Sequence, residues 1–317
     1  MYNYGVVMYD INNWKELRNM NLFFSKLVSM IMSLVIFAVG LLPCFKDIKS
    51  IEILDVSYGE SENQVYDIDF PGKAAGCAKE YGLLLYIHGG AWVGGDKSSY
   101  LSSIRSYQKF GIVCASMNYR FADENTNCFD MLDDIDSVID SIIELSDEYG
   151  YKISRVMFAG SSAGAHLSML YAYSRADKCP LEVVAVYSRS GPANFAEPDF
   201  LNNNALGDFN TVADWIKNVI GYSFSQDTLD EAMPYLEKAS PVNYITENSV
   251  PTLMCHGKQD NLISFNNSIT LDKKLTECSV KHDYLIFPNS GHSLDNDKIM
   301  SKLAEAMFFK YMFEYLI

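Results

Sequence analysis

The sequence predicts an α/β protein: a mostly parallel sheet with helices on both faces and a small helical cap inserted late in the chain. Three observations predict it. Short, almost unbroken apolar runs recur along the chain, as expected of strands buried on both faces. Amphipathic helical stretches separate them, the signature of βαβ crossovers. Clusters of glycine and polar residues then follow directly on several of the runs, where ligands bind in open α/β sheets. At 317 residues, 49% of them hydrophobic, the chain can bury a large core, although length alone fits one large domain as well as two small ones.

Residues 1–48 read as an N-terminal tail around an uncharged apolar segment, Leu27 to Leu42, preceded by Lys15, Arg18 and Lys26. A membrane-spanning helix takes about 20 apolar residues and a signal-peptide core about 7–15, so this segment lies between the two. From Met1 it reads as an uncleaved anchor. From Met20 it reads as a signal peptide with Ala38-Val39-Gly40 as a small-x-small cleavage site. A buried core helix is the third reading. Three basic residues before the segment, against Lys46 and Lys49 after it, favour a cytoplasmic N-terminus. The expected location is therefore membrane-anchored or secreted, with residues 49–317 extracytoplasmic.

Ile51 to Tyr58 and Gln64 to Phe70 alternate like antiparallel strands at a sheet edge, with Pro71-Gly72 ending the second. Buried strands follow at Leu83 to Ile87, Ile112 to Asn118 and Arg155 to Ala159. Met131, Ile135, Val138, Ile142 and Leu145 recur between the last two at helical spacing, giving a crossover helix. Leu181 to Ser188, Thr252 to His256 and Tyr284 to Phe287 complete the strands, and Lys298 to Leu316 closes the chain as a helix. The interval 191–250 is too long for a structureless loop. Val212 to Ile220 and Leu229 to Lys238 carry helical spacing there, so it reads either as a cap over the sheet's carboxyl edge or as an excursion with no gating role.

A formal net charge of -15, with no basic patch, argues against nucleic acid as a partner, because that binding is driven by Lys and Arg neutralising phosphates. Seven cysteines do not define a disulfide framework. Cys114 and Cys255 read as core residues, while Cys77, Cys128, Cys179 and Cys278 could pair if the domain is exported. No metal-ligand spacing occurs.

Gly160-Ser161-Ser162-Ala163-Gly164 falls between a strand and a helix-like run. In Gly-x-Ser-x-Gly the glycines allow a strained strand-to-helix turn that lifts the serine hydroxyl above the sheet edge, which makes Ser162 the candidate nucleophile. A serine hydroxyl needs a base, the base an orienting carboxylate, and the developing oxyanion hydrogen-bond donors. His292, just beyond the strand Tyr284 to Phe287, is the candidate base. Asp260, beyond Thr252 to His256, is the candidate carboxylate; Asp295 and Asp297 also lie near His292 but follow it in the chain. The loop His88-Gly89-Gly90-Ala91-Trp92 follows Leu83 to Ile87. Backbone N–H groups of Gly89, Gly90 and Ala91, with that of Ala163, are the candidate oxyanion hole. His88 reads as a hydrogen-bonding member of that loop, His166 and His256 as structural and His282 as a surface residue. Trp92 fits an acyl pocket or the core, the core being the simpler place.

These four motifs, in the chain order Ser, Asp, His, resemble the esterase/lipase branch of the α/β-hydrolase superfamily, and within it the hormone-sensitive-lipase-like bacterial carboxylesterases. Similarity extends from about Val56 to the C-terminus. It implies an α/β-hydrolase fold, a triad of Ser162, Asp260 and His292, an acyl-enzyme, an ester as substrate and no cofactor. The sequence shows no hydrophobic lid of lipase scale, which favours small, short-acyl substrates such as acetyl or feruloyl esters on carbohydrate. Ala91 departs from the third glycine of many lipolytic relatives. His88-Gly89-Gly90-Ala91-Trp92 also resembles the oxyanion motif of kynurenine formamidases, so amide hydrolysis stays open, as does a prolyl-oligopeptidase-like peptidase. A membrane-tethered, non-catalytic binding protein on the same scaffold is the reading from another class.

Overall fold

Strands and glycine-rich ends fall where the pattern places them. The computed structural model describes residues 49–72, 80–197, 212–223 and 229–317. The apolar segment 27–42, Cys77 and part of the interval 191–250 lie outside them. Among the described residues no helix is long and apolar enough to cross a membrane.

The described strands are β1 (Ile51–Ser57), β2 (Val65–Phe70), β3 (Tyr81–Ile87), β4 (Val113–Met117), β5 (Ile153–Ser161), β6 (Glu182–Arg189), β7 (Thr252–Gly257) and β8 (His282–Phe287). They form an eight-stranded sheet in the order β1-β2-β4-β3-β5-β6-β7-β8. β2 pairs antiparallel with both β1 and β4, and every other pair is parallel. The edge strand β1 shows the alternating exposure expected of a half-solvated strand, whereas β3, β4 and β7 are buried throughout.

The described α-helices are α1 (Leu101–Tyr107), α2 (Cys128–Glu148), α3 (Ala163–Ser174), α4 (Val212–Trp215), α5 (Met233–Lys238), α6 (Phe265–Glu277) and α7 (Lys298–Tyr315). Because strand side chains alternate, Leu83, Leu85 and Ile87 face one core with Met131, Ile135, Val138 and Ile142 of α2 and Leu167 of α3. Leu84 and Tyr86 face the other, with Ile104 of α1 and Phe308 and Met312 of α7. Each fully buried side chain of this size contributes about 1.5–3 kcal/mol, so the single apolar stripe of α2 anchors that helix firmly. Its start is fixed by a capping box: Asn127 Oδ1 accepts from the Phe129 N–H at 2.9 Å, and Asp130 Oδ2 from the Asn127 N–H at 2.8 Å. Phe265–Glu277 is a helix that the apolar periodicity does not announce, since only a narrow stripe around Leu271 and Leu275 is buried.

Between β6 and β7 the predicted helical stretches are present. Val212–Trp215 continues as a π-turn through Ile220, and a 3₁₀ turn at Leu229–Glu231 precedes α5. The segment docks through Trp215, which stacks edge-on against Trp92 at 5.7 Å and Phe195 at 5.0 Å. Cys114 and Cys255 are buried core residues, as expected. Among the described residues Cys128, Cys179 and Cys278 are free thiols, so none of the three pairs with another.

Candidate active site

Parallel register brings the critical loops to one edge. Ile87 pairs with Gly160, Ser161 with Arg189, and Arg189 with Cys255, while Gly257 pairs with Phe287. The residues that follow these positions, His88 to Trp92, Ser162, Asp260 and His292, therefore all emerge at the sheet's carboxyl edge.

Ser162 is the turn between β5 and α3, with φ 54° and ψ -123°. This is a region that a side-chain-bearing residue occupies at a cost of about 1–3 kcal/mol, and such strain persists only when neighbours enforce it. Here its N–H donates to the Arg189 carbonyl at 2.9 Å, and its carbonyl accepts from the His166 N–H at 3.0 Å. The flanking glycines allow the close approach. A Cβ at Gly160 would lie 2.4 Å from the Gly164 carbonyl carbon, and one at Gly164 would lie 2.1 Å from the Ile87 carbonyl oxygen.

His292 Nδ1 donates to Asp260 Oδ2 at 2.8 Å. With Nδ1 carrying the proton, Nε2 is the nitrogen left to accept one. The other carboxylate oxygen accepts from the N–H groups of Leu262 at 2.9 Å and Ile263 at 3.0 Å. His256 Nε2 lies 3.2 Å from Oδ2 and 3.0 Å from the Ile263 carbonyl. Burial of Asp260 opposes its charge, but the hydrogen bonds from His256 and His292 outweigh it and hold the carboxyl well below the usual range. His256 is thus more than a strand-end residue: it braces the carboxylate.

Asp297 is engaged elsewhere. It accepts from the Asn289 N–H at 2.9 Å, the Asn289 side-chain amide at 2.8 Å and the Ser290 hydroxyl at 2.6 Å, shaping the loop that carries His292. Asp295 is exposed. Ser190 links the strands: its hydroxyl donates to the His292 carbonyl at 3.0 Å, while the preceding carbonyl holds Ser162.

The loop after β3 is strained in the same way. Gly90, Ala91 and Trp92 all have positive φ, at 124°, 52° and 65°, and the Val93 N–H closes the turn on the Gly90 carbonyl at 3.0 Å. A Cβ at Gly89 would stand 3.2 Å from the Ser162 Cβ, so that backbone lies against the candidate nucleophile. Ala163 is the first residue of α3, where a helix leaves its N–H groups without intrahelical acceptors. His88 stacks on Tyr119 at 4.4 Å and donates from Nδ1 to the Gly89 carbonyl at 2.7 Å. Burial lowers its pKa, which keeps it neutral and suits a structural role.

Trp92 is in the core. Its Nε1–H donates to His166 Nδ1 at 3.2 Å, and His166 Nε2–H donates to the Ala239 carbonyl at 2.8 Å. Burial pushes the pKa of His166 down to about 4, so a neutral imidazole with one donor and one acceptor joins loop, elbow helix and inserted segment. His282 departs from expectation. It is mostly buried, with Nδ1 on the Val280 carbonyl at 2.8 Å and Nε2 on Asp272 at 3.1 Å.

Residues 67–275 match the family model described as BD-FAE. The chain belongs to the BD-FAE family. Esterase LipC of Mycobacterium tuberculosis is 26% identical over 261 residues, covering 76% of this chain and 59% of its own length. Kynurenine formamidase of Danio rerio is 31% identical over 120 residues, 37% of this chain and 38% of its own. The chain spans somewhat more than half the length of LipC and of a second M. tuberculosis relative, LipM. Among solved structures, a truncated carbohydrate esterase from gut microbiota superposes with a TM-score of 0.65 at 20% identity, over 84% of this chain and 98% of that one. The architecture of this BD-FAE member is the α/β-hydrolase fold.

Proposed function

We propose that this BD-FAE member is a serine hydrolase that cleaves carboxylic esters. The observation that carries the proposal is the Asp260–His292 hydrogen bond at 2.8 Å, set at the same sheet edge as a serine held in a strained elbow. His292 Nε2 takes the proton as Ser162 Oγ attacks the ester carbonyl. Backbone N–H groups of Gly89, Gly90, Ala91 and Ala163 receive the oxyanion, where each donor is worth about 100- to 1,000-fold in rate. The alcohol leaves with the proton from His292, and water activated by the same imidazole releases the acid from the acyl-enzyme. Asp260 stabilises the imidazolium at each stage.

Esters of short acids, on carbohydrate among others, are the substrate class; the likeness to a carbohydrate esterase supports this. Amide hydrolysis is the second reading, favoured by the His88 to Trp92 loop and the kynurenine formamidase relative. The residues ahead of 49 anchor the protein or direct its export, which N-terminal sequencing of natively expressed protein checks. A fluorophosphonate should label the wild type and not Ser162→Ala; labelling that survives the substitution removes the nucleophile assignment. A panel of p-nitrophenyl esters, acetylated xylan and N-formylkynurenine then separates ester from amide.

A further inference from the structure

Behind the nucleophile, on the face of the sheet covered by α1 and α7, lies a cavity of about 180 Å³. Tyr86, Tyr100, Tyr107 and Tyr187 wall it, and Arg189 lines it at the end of β6. Neither Ser162, Asp260 nor His292 borders it. Tyr100 donates or accepts at Ser161 Oγ at 3.0 Å, and Tyr187 meets Cys255 Sγ at 3.6 Å. The Arg189 guanidinium makes no hydrogen bond or ion pair with any described residue. Exposed Glu305 borders the cavity, but its carboxylate is held by Lys302 at 2.7 Å.

A largely enclosed cation without a counter-charge is costly unless something supplies one. We propose that this cavity binds a small monocarboxylate, its carboxylate on Arg189 and its apolar body between the tyrosine rings. A guanidinium presents paired donors that match a carboxylate fork. The aromatic walls suit an apolar or aromatic body, and a cavity of roughly 150 Å³ already accepts a benzene ring. Drug-sized ligands need about 300–1,000 Å³, so the occupant is small. One cation with Glu305 beside it disfavours a dianion such as phosphate. The site adjoins the catalytic edge, since the Arg189 carbonyl is the acceptor for the Ser162 N–H.

Benzoate titrated calorimetrically into the full chain should bind with one site. Arg189→Gln should weaken it about ten- to a hundredfold, the value of a charge-assisted hydrogen-bond pair. Ser103→Leu, on the partly exposed wall formed by α1, should weaken binding by obstruction, and it decides the matter if Arg189→Gln does not fold. No heat of binding in the wild type overturns the proposal. So does benzoate affinity unchanged in an Arg189→Gln protein with wild-type circular dichroism, or in Ser103→Leu. Phosphate binding more tightly than benzoate overturns the carboxylate assignment.

Discussion

Replacing Asp260 by asparagine changes one atom and leaves the side chain its shape. In the wild type, Oδ1 accepts two backbone N–H groups, from Leu262 at 2.9 Å and Ile263 at 3.0 Å, so the asparagine carbonyl keeps that position. Its amide then faces His292 Nδ1, the donor that sits 2.8 Å from Oδ2, and His256 Nε2 at 3.2 Å. Two donors now meet a donor. His292 relieves the conflict by moving its proton to Nε2, which leaves no lone pair for the Ser162 proton. His256 has no such escape, because the proton on its Nε2 already serves the Ile263 carbonyl at 3.0 Å. The imidazolium formed during attack also loses its counter-charge. The wrong tautomer in a serine–histidine–aspartate triad lowers kcat by about four orders of magnitude, equivalent to roughly 5.5 kcal/mol at about 1.36 kcal/mol per tenfold. Stopped-flow and steady-state hydrolysis of p-nitrophenyl acetate should show that loss in kcat, with the circular dichroism unchanged. Turnover within tenfold of wild type would refute the assignment of Asp260 as the orienting carboxylate.

Gly164→Ala places a Cβ 2.1 Å from the Ile87 carbonyl oxygen and 2.4 Å from that of His88; urea unfolding should show a loss of about 3 kcal/mol or more. Gly94→Ala, whose Cβ would have its nearest neighbour at 3.8 Å, should change stability by no more than about 0.5 kcal/mol. Trp92→Phe strips His166 Nδ1 of the donor it has in Trp92 Nε1 and thins the aromatic cluster, and should cost about 2–4 kcal/mol in the same assay. For His282, burial lowers the pKa but the contacts with Asp272 and the Val280 carbonyl raise it further. A raised folded-state pKa means stability that is complete below the unfolded value of about 6.5 and fades as pH rises through the folded one. The Tm gap between wild type and His282→Gln should therefore be wide near about pH 5.5 and narrow toward about pH 9; a constant gap refutes this.

Much of this was legible in the sequence because parallel strands are buried on both faces. The runs Leu83 to Ile87 and Thr252 to His256 could not be amphipathic, and each ends at a polar, glycine-bearing loop. Chain order favoured Asp260 over Asp297, and the hydrogen bonds assign the two carboxylates to different loops. What escaped is what depends on tertiary context. α6 buries Asn267 and Ser268 beside Leu271 and Leu275, so its inner face does not look apolar. His282 starts a strand amid charged residues and reads as exposed until Asp272 of α6 packs against it. The fate of the cysteines is set by distances that no spacing rule contains. Arg189 ends an ordinary strand, and only the fold reveals that tyrosines surround it.

The strained turns carry a consequence of a different kind. Ser162, Ala91, Trp92 and Ser190 all hold positive φ without being glycine, and together they ring the carboxyl edge. Glycine would adopt those angles without the steric cost, so each of these residues holds its turn at the expense of conformational energy, and the sheet and the two cores behind it must offset that cost for the edge to keep its shape.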